Sequence, residues 1–290
     1  MDLLVLGGTA WLSRAVAAEA VARGHVVTCL ARGLAGRSAD GTRLVVADGD
    51  RPDAYDAVAG ERWDAVVDVA RHPGHVRRAV AALEPAAGRY LFVSSANVYA
   101  GHGVMGEDED AELLPPLGSD VMESMETYGE AKVACEQAVL RAFGGGRTLV
   151  ARAALIGGPG DVSGRSGYWP WRFAHPSNPE QAVLLPDDPQ VPTAIIDVRD
   201  LAAWLVGCAE AGTTGVFDTA GEPRGPGRSP GGGPVRGRSL RAAGGRDPGL
   251  AHRARRRRLD GTDVPAAVAR RPRPRERSAV PDLISARQLN

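Results

Sequence analysis

The sequence predicts an α/β fold built on a doubly wound parallel sheet, and three observations predict it. Short apolar runs suited to strands buried on both faces alternate with alanine-rich, helix-forming stretches. The first run, Leu3–Leu6, passes directly into a glycine turn, Gly7-Gly8-Thr9, and then into a helical stretch. The alternation continues to about residue 220 and stops there.

The elements follow in order. Leu12 to Arg23 reads as a helix closed by Gly24, and His25–Leu30 as a valine-rich second strand. Leu44–Ala47 and Ala65–Val69 read as the third and fourth strands, Val76–Leu83 as a helix, and Tyr90–Val93 as a fifth strand. Residues 102–120 form an acidic loop punctuated by Pro and Gly, with Glu107–Asp110 solvated. A long helix is expected over 127–143, then a strand at Thr148–Ala153. The loop Gly157–Asp161 and the aromatic stretch Tyr168-Trp169-Pro170-Trp171 come next. A short strand at Thr193–Ile196, a helix at Val198–Ala209 and a last strand at Gly215–Asp218 complete the pattern. Right-handed crossovers turn such βαβ units into a Rossmann fold.

At 290 residues and 43% hydrophobic content, the chain can form one large α/β domain, or a domain with a small lobe. No apolar run approaches the roughly 18 residues of a membrane span. Met1-Asp2 offers no basic n-region, so the N-terminus reads as a strand and not as a signal peptide. Cys29, Cys135 and Cys208 fit neither a disulfide framework nor a metal spacing. Reduced thiols, a cytoplasmic location and no metal are therefore expected.

Three motifs carry chemistry. The turn Gly7-Gly8-Thr9-Ala10-Trp11-Leu12-Ser13 suits a dinucleotide pyrophosphate approaching a helix N-terminus. Ala10 and Ser13 stand where such fingerprints usually have glycine, which predicts a slightly wider pocket. Tyr128 and Lys132 are spaced to share one helix face. An ammonium beside the phenol would favour phenolate and suit it to general acid/base work. Lys132 is the only lysine in the chain. Ser94-Ser95 end the fifth strand, where ligands of open α/β sheets bind and a hydroxyl can meet a substrate carbonyl. Taken singly, each motif has a plain alternative: an ordinary strand-to-helix turn, a solvated lysine, a turn-capping serine.

In this order and spacing the motifs resemble the extended short-chain dehydrogenase/reductases, the NAD-dependent epimerase/dehydratase group, over roughly residues 1–222. The resemblance rests on Gly7-Gly8-Thr9, Ser94-Ser95-x-x-Val98-Tyr99, Tyr128-Gly-Glu-Ala-Lys132, Arg152 with Gly158-Pro159-Gly160, and Ile196-Asp197-Val198-Arg199-Asp200. It implies Tyr128 as proton donor or acceptor, Lys132 as the hold on the nicotinamide ribose, and Ser95 at the catalytic Ser/Thr position. Gly7, Thr9, Ala10, Trp11, Leu12, Val69 and Ala70 would line the cofactor, and Asp50 would meet the adenine. Ser94, Trp169 and Arg172 would face substrate, although a hydrophobic lid explains the aromatic cluster as well. Cys29-Leu30-Ala31-Arg32 places no carboxylate after strand two, and Arg32 could meet a 2′-phosphate, so NADP is favoured over NAD.

The resemblance also marks where the chain departs. Residues 1–220 hold 18 basic against 29 acidic side chains, a net of −11; residues 221–290 hold 17 against 6, a net of +11. Gly, Pro and Arg make up 37 of those last 70 residues, and every aromatic residue lies at or before Phe217. Such a segment cannot bury enough apolar surface to fold, so a truncated or disordered C-terminal substrate lobe is expected. A reading-frame shift near codon 222 would account for it. A genuine basic tail is the alternative, but no aromatics are interleaved for base stacking, so nucleic acid is not the expected partner.

The function expected is NAD(P)-dependent oxidoreduction, epimerisation or dehydration of a carbonyl or sugar-nucleotide substrate by hydride transfer. The family resemblance allows a homodimer through the 127–143 helix. A non-catalytic cofactor-sensing or RNA-associated Rossmann protein, or an inactive product of a damaged gene, stays open beside it.

Overall fold

The computed structural model describes residues 1–102, 108–176 and 194–221. The expectation for the tail lies outside the described residues, Gly221 excepted, and so does Glu107 of the acidic run. In chain order the elements are β1 (Asp2–Leu6), α1 (Trp11–Ala22), β2 (Val26–Ala31), β3 (Arg43–Val46), α2 (Asp56–Ala59), β4 (Ala65–Asp68), α3 (Pro73–Leu83) and β5 (Tyr90–Ser95). They continue as α4 (Tyr128–Phe143), β6 (Thr148–Ala153), β7 (Leu155–Gly157), α5 (Tyr168–Ala174), β8 (Ile195–Asp197), α6 (Val198–Ala211) and β9 (Gly215–Thr219).

Seven strands form one parallel sheet in the order β3-β2-β1-β4-β5-β6-β9. This is the doubly wound Rossmann arrangement, as expected. Side chains alternate across it. Leu3, Val5, Cys29, Val67, Leu91 and Leu149 pack under α1 and α6. Leu4, Leu6, Val66, Tyr90 and Phe92 pack under α3 and α4. Both faces are covered, so the strands are apolar on both sides and lack a period-two pattern.

Three elements are additional to the sequence reading. The short α2 follows the third strand. β7 pairs in parallel with β8 as a separate two-stranded sheet. α5 makes the aromatic stretch helical, with Pro170 in its first turn, where a missing N–H is tolerated. These elements have three to seven residues. They are too short for periodicity to reveal.

Candidate functional site

The chain builds the sheet outward from β1 to β3, then returns to β4 on the other side. The crevice outside the carboxyl ends of β1 and β4 is the topological switch point, where open α/β sheets bind ligands. Gly7 leaves β1 at φ 84°, a conformation glycine adopts freely. Its N–H donates to Leu30 O at 2.8 Å, and its carbonyl accepts from Ala10 N–H at 3.0 Å. A Cβ on Gly8 would stand 2.4 Å from Cys29 Sγ, so that position must be glycine for the turn to pack on β2. Ser13 is fully buried, and its hydroxyl donates to the carbonyls of Gly7 and Ala10. The side chain that replaces glycine thus lies beneath the turn and pins it.

Above the turn, α1 begins at Trp11 with no side-chain cap on Ala10 and no acid in its first turn. Its leading N–H groups are left for an anion. Trp11 Nε1 donates to Pro159 O at 2.9 Å and closes one side. Val69 and Ala70 follow β4 on the other side, and Val69 Cγ2 lies 3.3 Å from where a Gly7 side chain would start. Thr9 is buried and Leu12 half-buried in this turn. The glycine turn and the unclaimed helix N-terminus fit a dinucleotide pyrophosphate.

The proton-transfer candidates gather at the same edge of the sheet. Ser95 closes β5; its Oγ accepts from Asn97 N–H and donates to Asn97 Oδ1, each at 3.2 Å. This caps a short 3-10 turn, Ala96–Val98. Tyr128 opens α4, half-buried, and its hydroxyl has no hydrogen-bond partner among the described residues. The next residue explains how α4 comes so close: a Cβ on Gly129 would fall 2.2 Å from Asn97 O. Lys132 is only 2% exposed, and Nζ donates to Ala70 O and Val93 O, each at 2.7 Å. Its hydrogen bonds go to backbone carbonyls and none to Tyr128, so the expected partnership is one of shared helix face.

At the opposite end of the crevice, Arg32 is exposed after β2. Asp50 Oδ1 meets His75 Nε2 at 2.6 Å. That hydrogen bond, with the charges of His75, His72 and Arg32, holds the Asp50 carboxyl below its ordinary range. Burial and the charges of His75 and Arg71 push the His72 imidazole down. Neither histidine figured in the sequence reading: both precede the apolar run from Val76, in a stretch with Arg71, Arg77 and Arg78, and nothing local marks them as partners of Asp50.

A buried ionic network lies beyond Ser94. Ser94, Arg152 and Asp218 stand side by side on β5, β6 and β9. Arg152 grips Glu136 of α4 through Nε and Nη2, the latter at 2.9 Å. It also donates to Tyr99 Oη at 3.2 Å and to Glu109 O at 3.0 Å, and Tyr99 Oη donates to Asp218 at 2.7 Å. Ser94 Oγ is buried without a partner among the described residues. Arg172 is half-buried in α5; Trp169 belongs to the same helix, and its side chain lies outside the description. No cluster of metal-ligating side chains occurs among the described residues.

No protein-family model and no curated protein matches the chain. Solved structures do match. A UDP-N-acetylglucosamine 4-epimerase from Bacillus cereus is 16% identical, with 76% of each chain covered and a TM-score of 0.59. The Bordetella bronchiseptica enzyme WbmG, in complex with NAD and UDP, is 17% identical; 77% of this chain and 74% of that one are covered, with a TM-score of 0.57. A UDP-N-acetylglucosamine 4-epimerase from Methanobrevibacter ruminantium M1, in complex with UDP-N-acetylmuramic acid, is 18% identical with 77% of each chain covered and a TM-score of 0.59. At these identities the likeness is one of fold: the chain has the Rossmann-type α/β fold that these structures share.

Proposed function

We propose that the chain is an NAD(P)-dependent enzyme acting on a carbonyl or sugar-nucleotide substrate, with Tyr128 as general acid/base. One observation carries this reading: the unclaimed N-terminus of α1 and the trio Ser95, Tyr128 and Lys132 share the carboxyl edge of the sheet. A bound nicotinamide supplies a hydride donor or acceptor there. The backbone of residues 7–12 holds the pyrophosphate. Arg32, in a segment closing β2 that carries no carboxylate of its own, receives a 2′-phosphate and favours NADP over NAD. Two of the three Lys132 N–H donors are spent on carbonyls, and the third is left for a ribose hydroxyl. Ser95 turns its hydroxyl from Asn97 to a substrate oxygen, and Tyr128 gives or takes the proton at that oxygen. The UDP-sugar epimerases of like fold support a sugar nucleotide as substrate class.

The test is a fluorescence titration of the purified chain with NADPH and NADH, followed by turnover of UDP-N-acetylglucosamine. Tyr128→Phe should keep NADPH affinity and lose about 10²-fold or more in turnover. Failure to bind either nucleotide overturns the reading. Tight binding without turnover of any sugar nucleotide would give the cofactor-sensing alternative instead.

A further inference from the structure

Beneath the turn after β4 lies a carboxylate for which the proposed reaction has no use. Asp68 ends β4 and is 1% exposed. Its Oδ1 accepts the Ala70 N–H at 2.8 Å, and its Oδ2 accepts the Tyr90 hydroxyl at 2.7 Å. Both oxygens accept, which is the arrangement of an ionised carboxylate. The carbonyl of the same residue, which belongs to the next peptide group, accepts from Lys132 Nζ. Tyr90 and Asp68 thus hold the backbone of Ala70 at its N–H while Lys132 holds it at its carbonyl, and the ammonium sits 4.4 Å from the centroid of the Phe92 ring.

An ammonium this deeply buried is costly unless an opposite charge lies near it. The groups packed around it leave one candidate. Glu136 on α4 is committed to Arg152, and beyond Asp68, His75 is committed to Asp50 and Arg77 to Asp120. Burial pushes the Tyr55 and Tyr90 phenols and the Cys135 thiol up, so all three are neutral near pH 7. Asp68 remains. Burial pushes its carboxyl up too, opposed by the Tyr90 hydroxyl, the Ala70 N–H and the charge of Lys132.

We propose that Asp68 is the positioning residue for Lys132: through the backbone of Ala70 it fixes where Nζ points, and it supplies the counter-charge for the buried ammonium. Its consequence for cofactor binding rests on the function proposed above; the coupling itself does not. Because Lys132 is the only lysine, full-length protein grown with lysine labelled with ¹³C at Cε gives a single side-chain signal. In cofactor-free Asp68→Asn its titration midpoint should fall by about one pH unit or more relative to wild type. NADPH affinity of the variant should also fall more steeply than wild type as pH is raised. An unmoved midpoint in folded Asp68→Asn, judged by circular dichroism, overturns the proposal.

Where Asp68→Asn does not fold, Tyr90→Phe decides. The wild-type lysine signal should carry a second, acidic inflection when Asp68 takes up its proton. Losing the Tyr90 donor should move that inflection to higher pH. Absence of the inflection, or no movement in Tyr90→Phe, overturns the coupling. Wild-type protein that shows the coupling and binds neither nicotinamide nucleotide overturns the cofactor reading alone.

Discussion

Single side chains decide the rim of the site. Arg152 joins α4, the Tyr99 turn and the Glu109 segment, and Glu136 beside it is 3% exposed. Removing one partner of such a pair leaves an uncompensated buried charge, so Arg152→Met should destabilise by about 3–5 kcal/mol in a denaturant titration. Replacing both partners, as Arg152→Met with Glu136→Leu, should recover most of that loss. Gly129→Ala places a methyl against the Asn97 carbonyl. It should cost about 1–3 kcal/mol and lower turnover more than NADPH affinity, since Tyr128 is the adjacent residue. Burial raises all three thiols, Cys208 to about 11 and Cys135 to about 12. Ellman's reagent at pH 8 should therefore label none of them in native protein and all three in guanidinium. At this scale the sequence is uneven. Tyr128 and Lys132 are legible from their spacing, and Asp68 was open to notice as an acid ending an apolar strand. Gly129 was not, because a close backbone approach leaves no trace in composition.

The elements were legible in proportion to their length. The seven main-sheet strands and the helices α1, α3, α4 and α6 follow from apolar runs and turn residues. β7 and α5 do not, since what makes them regular is pairing with β8 and packing of neighbours, neither of which is local in sequence. Of the strand expected at Thr193–Ile196, Thr193 lies outside the described residues; β8 runs Ile195–Asp197, and its last residue serves as a cap. Asp197 accepts the Arg199 N–H at 2.8 Å and opens α6. The Arg199 guanidinium hydrogen bond is the main cause holding its carboxyl below the ordinary range. A lowered folded value means that the stabilisation is present above the unfolded value, about 3.9, and is lost as pH falls through the folded value. Asp197→Ala should cost about 1 kcal/mol at neutral pH. The gap between variant and wild type should narrow in urea titrations taken below the ordinary aspartate range.

Across the whole molecule, the doubly wound sheet was readable because both of its faces are buried and its strands are nearly pure apolar runs. The substrate-facing segment was not, because shape complementarity to an unknown ligand has no sequence period. β9 completes the sheet, with Phe217 and Thr219 buried, and the described chain ends two residues later. We expect the chain cut after Gly221 to keep its NADPH affinity and to melt within about 2–4 °C of the full chain, a shift worth roughly 1 kcal/mol in a domain of this size. A collapse of the melting transition would mean that residues 222–290 complete the fold. The packing of α1 on α6, fastened by Arg23 and His25 to Glu210, has a further consequence for how the protein is made. A ribosome releases the N-terminal helix long before residues 198–211 emerge. The apolar face of the nascent β1–α1–β2 unit therefore waits, uncovered, for most of translation, and a cell short of chaperones should yield this protein chiefly as insoluble chain.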